Sequence, residues 1–152
     1  MQDSGSRDTL AEFFGLFGSA LEHREAQRIW TQLEAALVPR ALTFLKRAGF
    51  THLSTITVLD TGREFEVIYH LCRAGHVFSL RTCVGRDKPR LASIVGIFPG
   101  AVLYEREACD LFGLEFEGHP DPRALVLPEG WPAGEHPLRK DWRPPNGGAQ
   151  DA

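Results

Sequence analysis

The densest chemistry in the chain lies in Tyr104-Glu105-Arg106-Glu107-Ala108-Cys109-Asp110-Leu111-Phe112-Gly113. Carboxylates and a guanidinium this close together suit acid–base work, a metal site or an ion-paired junction. Read as a helix, Arg106 and Asp110 stand four apart and pair across one turn, with base before acid, the weaker order. An acidic helical turn is most often a solvated or ion-paired face, so the residue types alone favour pairing over catalysis. Cys109 as a nucleophile would need an oriented base, and His119 is the neighbour in sequence that offers one. A metal site would have to gather His119, His136, Cys109 and Asp121, whose spacing is neither helical nor finger-like.

The chain that must position these groups has 152 residues, one domain or one domain with a tail. Its 17 basic and 20 acidic residues leave a net charge of −3, with none of the basic excess that nucleic acid phosphates demand. No apolar run approaches the roughly 18–20 residues that span a bilayer. Met1 to Arg7 has neither the basic start nor the apolar stretch of a signal peptide. The reading is a cytosolic protein able to dock on a membrane complex. Cys72, Cys83 and Cys109 form neither a disulfide framework nor a CxxC pair. They also fall short of the thiolates an Fe–S cluster requires, so they read as small apolar residues and no cofactor is expected on this chain.

Apolar periodicity assigns a short helix to residues 8–17 and a longer one to 20–48. The longer one carries a stripe of Leu21, Ile29, Leu33, Leu37, Leu42 and Leu45, with a kink at Pro39 and a stop at Gly49. Residues 52–60, 64–73 and 77–84 read as strands joined by glycine-bearing hairpins, with Phe65, Val67, Tyr69 and Leu71 alternating along the second. Helices are expected again over 91–98 and 102–112. The class is α+β, helices plus a small antiparallel sheet, followed by an extended proline-rich C-terminal tail. Seven of the ten prolines lie at or after Pro120, which excludes long helices and central strands there. The division is an N-terminal extension (1–19), an α+β domain (20–117) and a docking tail (118–152). Leu125, Val126, Leu127, Trp131, Leu138 and Trp142 make that tail too apolar for a solvated linker. It needs a surface, either a partner's or its own sheet.

Four blocks stand in one order: Glu105-Arg106-Glu107, Asp110-Leu111-Phe112-Gly113, Phe116 to Arg123 (FEGHPDPR) and His136 to Asp141 (HPLRKD). In these the chain resembles the C subunit of NADH:quinone oxidoreductase (complex I). It equally resembles the equivalent subunit of the related membrane-bound nickel–iron hydrogenases, formate hydrogenlyase included. The likeness runs from Val67 to Trp142, about half the chain. Complex I members usually carry Trp where Leu103 stands, and Leu125 to Pro132 (LVLPEGWP) resembles the hydrogenase branch. The resemblance therefore points to a hydrogenase-type subunit, with complex I as the alternative and a stand-alone soluble binding module as a further one. It implies a non-catalytic accessory subunit, peripheral on the cytoplasmic face of the cell membrane, with membrane contact only through the complex. The tail would lie along a large subunit that holds the quinone site or the nickel–iron centre, beside a small Fe–S subunit. Glu105, Arg106, Glu107 and Asp110 would form an ion-paired junction joining helix, tail and partner. His119 and His136 precede prolines in extended backbone, and Arg123, Arg139, Lys140 and Arg143 suit a partner's carboxylates. Asp141 closes the last block, and Trp131 and Trp142 are the expected interface anchors.

Overall fold

Strands β3 (His52–Asp60), β4 (Glu64–Arg73) and β5 (His76–Gly85) form the expected meander, closed at its second turn by Ala74 and Gly75, both at positive φ. The computed structural model describes residues 4–18, 21–25 and 27–145. Phe65, Val67, Tyr69 and Leu71 are all buried on one face of β4, as their alternation requires.

The meander gains two strands that the helical stripe concealed. The segment 20–48 is not one interrupted helix. Its first half forms β1 (Leu21–Glu25) and β2 (Arg28–Gln32), an antiparallel pair, and β2 lies parallel to β5. Ile29 and Thr31 alternate into the core between exposed Arg28 and Gln32, so the β-branched residues act with period two. The sheet is thus mixed, in the order β1-β2-β5-β4-β3. A 3-10 turn over Ala35–Leu37 leads into α2 (Val38–Arg47). Pro39 stands in the first turn of α2, where its missing N–H is no loss, so it starts the helix instead of kinking it. Gly49, at φ +98°, ends the segment as expected.

Two helices cover one face of the sheet. α1 (Ser4–Phe17) plants Leu10, Phe13 and Phe17 there, and α2 adds Val38, Ala41, Leu42 and Leu45. Phe13 meets Phe78 at 5.1 Å and Phe44 at 5.8 Å between ring centroids, and Phe50 meets Phe78 at 5.8 Å. Each fully buried ring of this kind contributes about 1.5–3 kcal/mol over an exposed one.

The expected helix at 91–98 is absent. Arg90–Ala92 form β6, parallel to β7 (Glu115–Glu117), and a turn follows. The Ile94 amide, which helix initiation would leave free, is taken by a carboxylate from α3 (Ala101–Phe112). After β7 no helix or strand occurs among the described residues.

Candidate functional site

Ala101, Glu105 and Ala108 recur on the buried side of α3, so the helix carries a carboxylate into the interior. Glu105 is 0% exposed. One oxygen accepts the Ile94 N–H at 2.7 Å and the other accepts the Ser93 hydroxyl at 2.7 Å. Burial raises its pKa, against the lowering effect of those two bonds and of nearby His119. Buried beside it, the Tyr69 phenol is held far above its ordinary range, by burial first and by the Glu105 charge second.

His119 Nε2 lies 3.8 Å from Glu105 and donates to the Val102 carbonyl at 3.1 Å, while Nδ1 accepts the Asp121 N–H at 3.0 Å. The two bonds require the tautomer with its proton on Nε2. A histidine thereby fixes where the chain leaves β7 and turns back over α3.

That returning chain is a strap, residues 118–145, tied to α3 mostly through backbone groups. Arg106 Nε donates to the Arg123 carbonyl at 2.8 Å and Nη2 to the Ala124 carbonyl at 2.9 Å, while Nη1 reaches Asp121 at 3.3 Å. Asp121 is also gripped by the Arg123 guanidinium through two bonds of 2.7 Å, and that cation holds its carboxyl well below the usual carboxylate range. Asp110 Oδ2 accepts consecutive amides from Leu125 (2.8 Å), Val126 (2.7 Å) and Leu127 (3.2 Å). Burial pushes its pKa up, but the three amides outweigh it and the carboxyl stays below its ordinary value. A strand-less segment has its donors satisfied by one side chain.

The far end of the strap closes on the C-terminus of α3. His136 Nδ1 donates to the Asp110 carbonyl at 2.8 Å, Arg139 Nε to the Phe112 carbonyl at 2.6 Å, and the Leu138 amide to the Leu111 carbonyl at 3.0 Å. These donors meet the helix end where carbonyls are left unsatisfied. Gly113 permits the approach. Its φ of +74° suits glycine, and a Cβ there would stand 2.5 Å from the His136 ring and 2.7 Å from Arg139. Asp60, at the end of β3, accepts the Lys140 amide at 2.8 Å and the Gly62 amide at 2.8 Å, and pairs with Arg86. Arg86 also holds Asp141 at 2.7 Å. Burial works against the Asp60 charge, but Arg86 and the two amides win and lower its pKa to about 2. The Arg86 and Arg139 guanidiniums each lie 5.2 Å from the Phe65 ring centroid.

Between these ties the strap bulges into a loop. Trp131 and Trp142 stack at 6.0 Å, 29° apart in plane, and both indole N–H groups reach Glu135. The loop bounds a cavity of about 520 Å³ whose wall includes Cys109 and Asp110.

The structure thus brings Glu105, Arg106, Asp110, His119, Arg123, His136 and Arg139 into one junction along α3, with Asp141 joined through Arg86. Two pairings within the chain differ from expectation. Arg106 and Asp110 do not bond each other across the turn, because each faces the strap. Glu107 points to solvent and has no hydrogen bond or ion pair among the described residues. Lys140 is exposed and contributes its amide, not its charge. The two tryptophans face each other. His119, His136, Cys109 and Asp121 are not assembled, and no group of three potential metal ligands occurs among the described residues. Asp60, Arg86 and Ser93 went unread in the sequence. An Asp opening a hairpin turn signals only the local Gly62 bond, and nothing local announces contacts across 80 residues to Lys140.

Chemically the junction is saturated. The Asp110 oxygen that faces the strap accepts three donors, and the Glu105 oxygens have their own. Burial, with the Glu105 and Asp110 charges adding to it, pushes the Cys109 thiol up to about 11, the opposite direction from the lowered pKa of reactive thiols.

Residues 31–147 match the family described as respiratory-chain NADH dehydrogenase, 30 Kd subunit. The chain belongs to this family. Among its relatives, the C subunit of NADH-quinone oxidoreductase from Methylobacterium sp. (strain 4-46) is 38% identical over 89% of this chain, which spans 65% of that protein. The corresponding C subunit from Moorella thermoacetica is 34% identical over 79% of this chain and 92% of its own length. Among solved structures, the membrane-bound sulfane sulfur reductase, an archaeal respiratory membrane complex, contains a chain with a TM-score of 0.80 and 25% identity. That match covers 91% of this chain and 85% of the other. These relatives place the junction within a complex I-like subunit family. No described helix is long and apolar enough to cross a membrane.

Proposed function

We propose that this chain is a non-catalytic scaffold subunit in the peripheral arm of a complex I-like membrane assembly. The observation that carries this reading is Asp110 binding the amides of Leu125, Val126 and Leu127. The most chemically provocative carboxylate of the helix is occupied in shaping backbone, and the shape it makes leaves Leu125 and Val126 42% and 50% exposed. Two adjacent outward apolar residues on a rigidly tied strap suit burial against another subunit. The proposed partners are the large subunit, along which the strap lies, and the small Fe–S subunit beside it. Redox centres, Fe–S clusters and in one branch a nickel–iron centre, would belong to those partners. In this chain Cys72, Cys83 and Cys109 would serve as small apolar residues and hold no cluster. The assembly would sit on the cytoplasmic face of the membrane, and this chain would touch the membrane only through it.

The names borne by the relatives, quinone oxidoreductases and a sulfane sulfur reductase complex, support the complex I-like frame. A hydrogenase-type assembly is the second reading, favoured by Leu125 to Pro132, whose Trp131 closes the strap loop. The test is gentle purification of the tagged chain from native membranes, with assays for nickel, hydrogen-dependent dye reduction and quinone reduction. A nickel-free, Fe–S-rich, quinone-reducing complex supports the first reading and nickel with hydrogen activity the second. A lone metal-free chain would overturn both.

A further inference from the structure

β3 is an edge strand of the sheet, with β4 on one side and no strand on the other among the described residues. α3 packs along that open edge, where the Tyr104 hydroxyl donates to the Ser54 carbonyl at 2.8 Å. Strand, helix and strap leave a groove of about 250 Å³ between them, walled mainly by Ile56, Val58, Ala108, Phe112 and Leu138, with Thr57, Tyr104 and Glu107 completing its lining.

Glu107 breaks the pattern of its helix. Glu105, Arg106 and Asp110 all have partners within the chain, whereas Glu107 is exposed and has none among the described residues. Leu103 lies one turn earlier on the same helical face and is 52% exposed, and Leu138, across the groove, is 51% exposed. Solvation alone would account for Glu107 but not for two large leucines left uncovered beside it. An apolar partner would cover the leucines but bury Glu107 without a counter-charge, which is costly. A long basic side chain meets both conditions, since its methylene stem packs on apolar surface while its head stays polar.

We infer that this groove seats an arginine or lysine from a partner subunit, its stem against Ile56, Ala108, Phe112 and Leu138 and its cationic head on Glu107. The inference rests on the scaffold reading and adds a second contact surface, separate from the outward face of Leu125 and Val126. It assigns Glu107 the one ionic contact of α3 made outside the chain.

The test compares the tagged full chain with Glu107→Gln and Glu107→Lys, each purified from native membranes, with partner subunits quantified by mass spectrometry. Like charges across the groove should reduce partner recovery by at least about tenfold in Glu107→Lys. Glu107→Gln should show a smaller loss that deepens with salt, and the melting temperature of the isolated full chain should not move. A photo-crosslinking residue in place of Leu103, with Glu107 native, should capture a partner-subunit peptide that contains Arg or Lys near the crosslink. Reversing that residue to Glu should restore recovery in Glu107→Lys. Wild-type recovery in Glu107→Lys, or a captured peptide without a basic residue, would overturn the groove assignment and leave the scaffold reading standing. A wild-type chain that brings down no partner subunit would defeat the scaffold reading itself.

Discussion

The covered face of the sheet and the strap over α3 are held by different forces. Under α1 and α2, Phe13 and Phe50 each meet Phe78 among buried leucines, and area removed from water sets the stability. Residues 118–145 have no helix or strand and lie in place through directional bonds from Arg106, Asp110, His136, Arg139 and Asp60. Apolar packing is cooperative and tolerant of the direction of approach, whereas each polar tie fails singly and leaves orphaned groups behind. The core should therefore unfold as a unit, and the strap should be able to detach while the core persists.

The largest effect should come from the core. Phe78→Ala removes a ring shared by two aromatic contacts and should cost about 3–5 kcal/mol, seen as one cooperative drop in denaturant midpoint that includes the strap. Asp110→Ala should cost up to about 3 kcal/mol, because the Leu125, Val126 and Leu127 amides lose their shared acceptor. Hydrogen exchange should show protection lost over the strap and retained in β4 and β5. Loss of protection throughout would erase the distinction between the two regions.

Acid sharpens the same contrast. Asp60 has its pKa lowered from 3.8 to about 2 in the fold, so its contribution is present above the unfolded value and disappears as pH falls toward about 2. At about 1.4 kcal/mol per unit this amounts to about 2 kcal/mol. Glu105, whose pKa burial raises, acts with the opposite sign and opposes folding as pH rises through its range. Denaturant midpoints from about pH 5 to pH 2 should fall for the wild type and fall less for Asp60→Asn. The smallest effect belongs to Trp142→Phe, which preserves a stacked ring but loses the bond to Glu135. It should cost about 1 kcal/mol, confined to the strap loop and read as faster proteolysis there.

Sequence legibility followed the same division. Strand alternation in Phe65, Val67, Tyr69 and Leu71 announced the meander because one face is buried and the period is two. Residues 21–32 misled because their apolar spacing also fits a helix, and the parallel pairing of β2 with β5 is a long-range fact that no local propensity encodes. At α3 and the strap, Asp, Arg and His among prolines satisfy backbone that cannot form ladders, a need that residue type alone makes legible. Their partners were not legible. Arg106 and Asp110 stand at pairing distance along the helix, yet backbone groups of Arg123 to Leu127 offered each a better-placed bond.

On the proposed scaffold role, the Asp110 carboxylate shapes a docking surface and takes no part in chemistry. The most direct test is to introduce Asp110→Ala in the native host and measure both the yield of assembled complex and its turnover per Fe–S content. A scaffold role entails a reduced yield with unchanged turnover in whatever complex assembles. Full assembly with turnover abolished would contradict it.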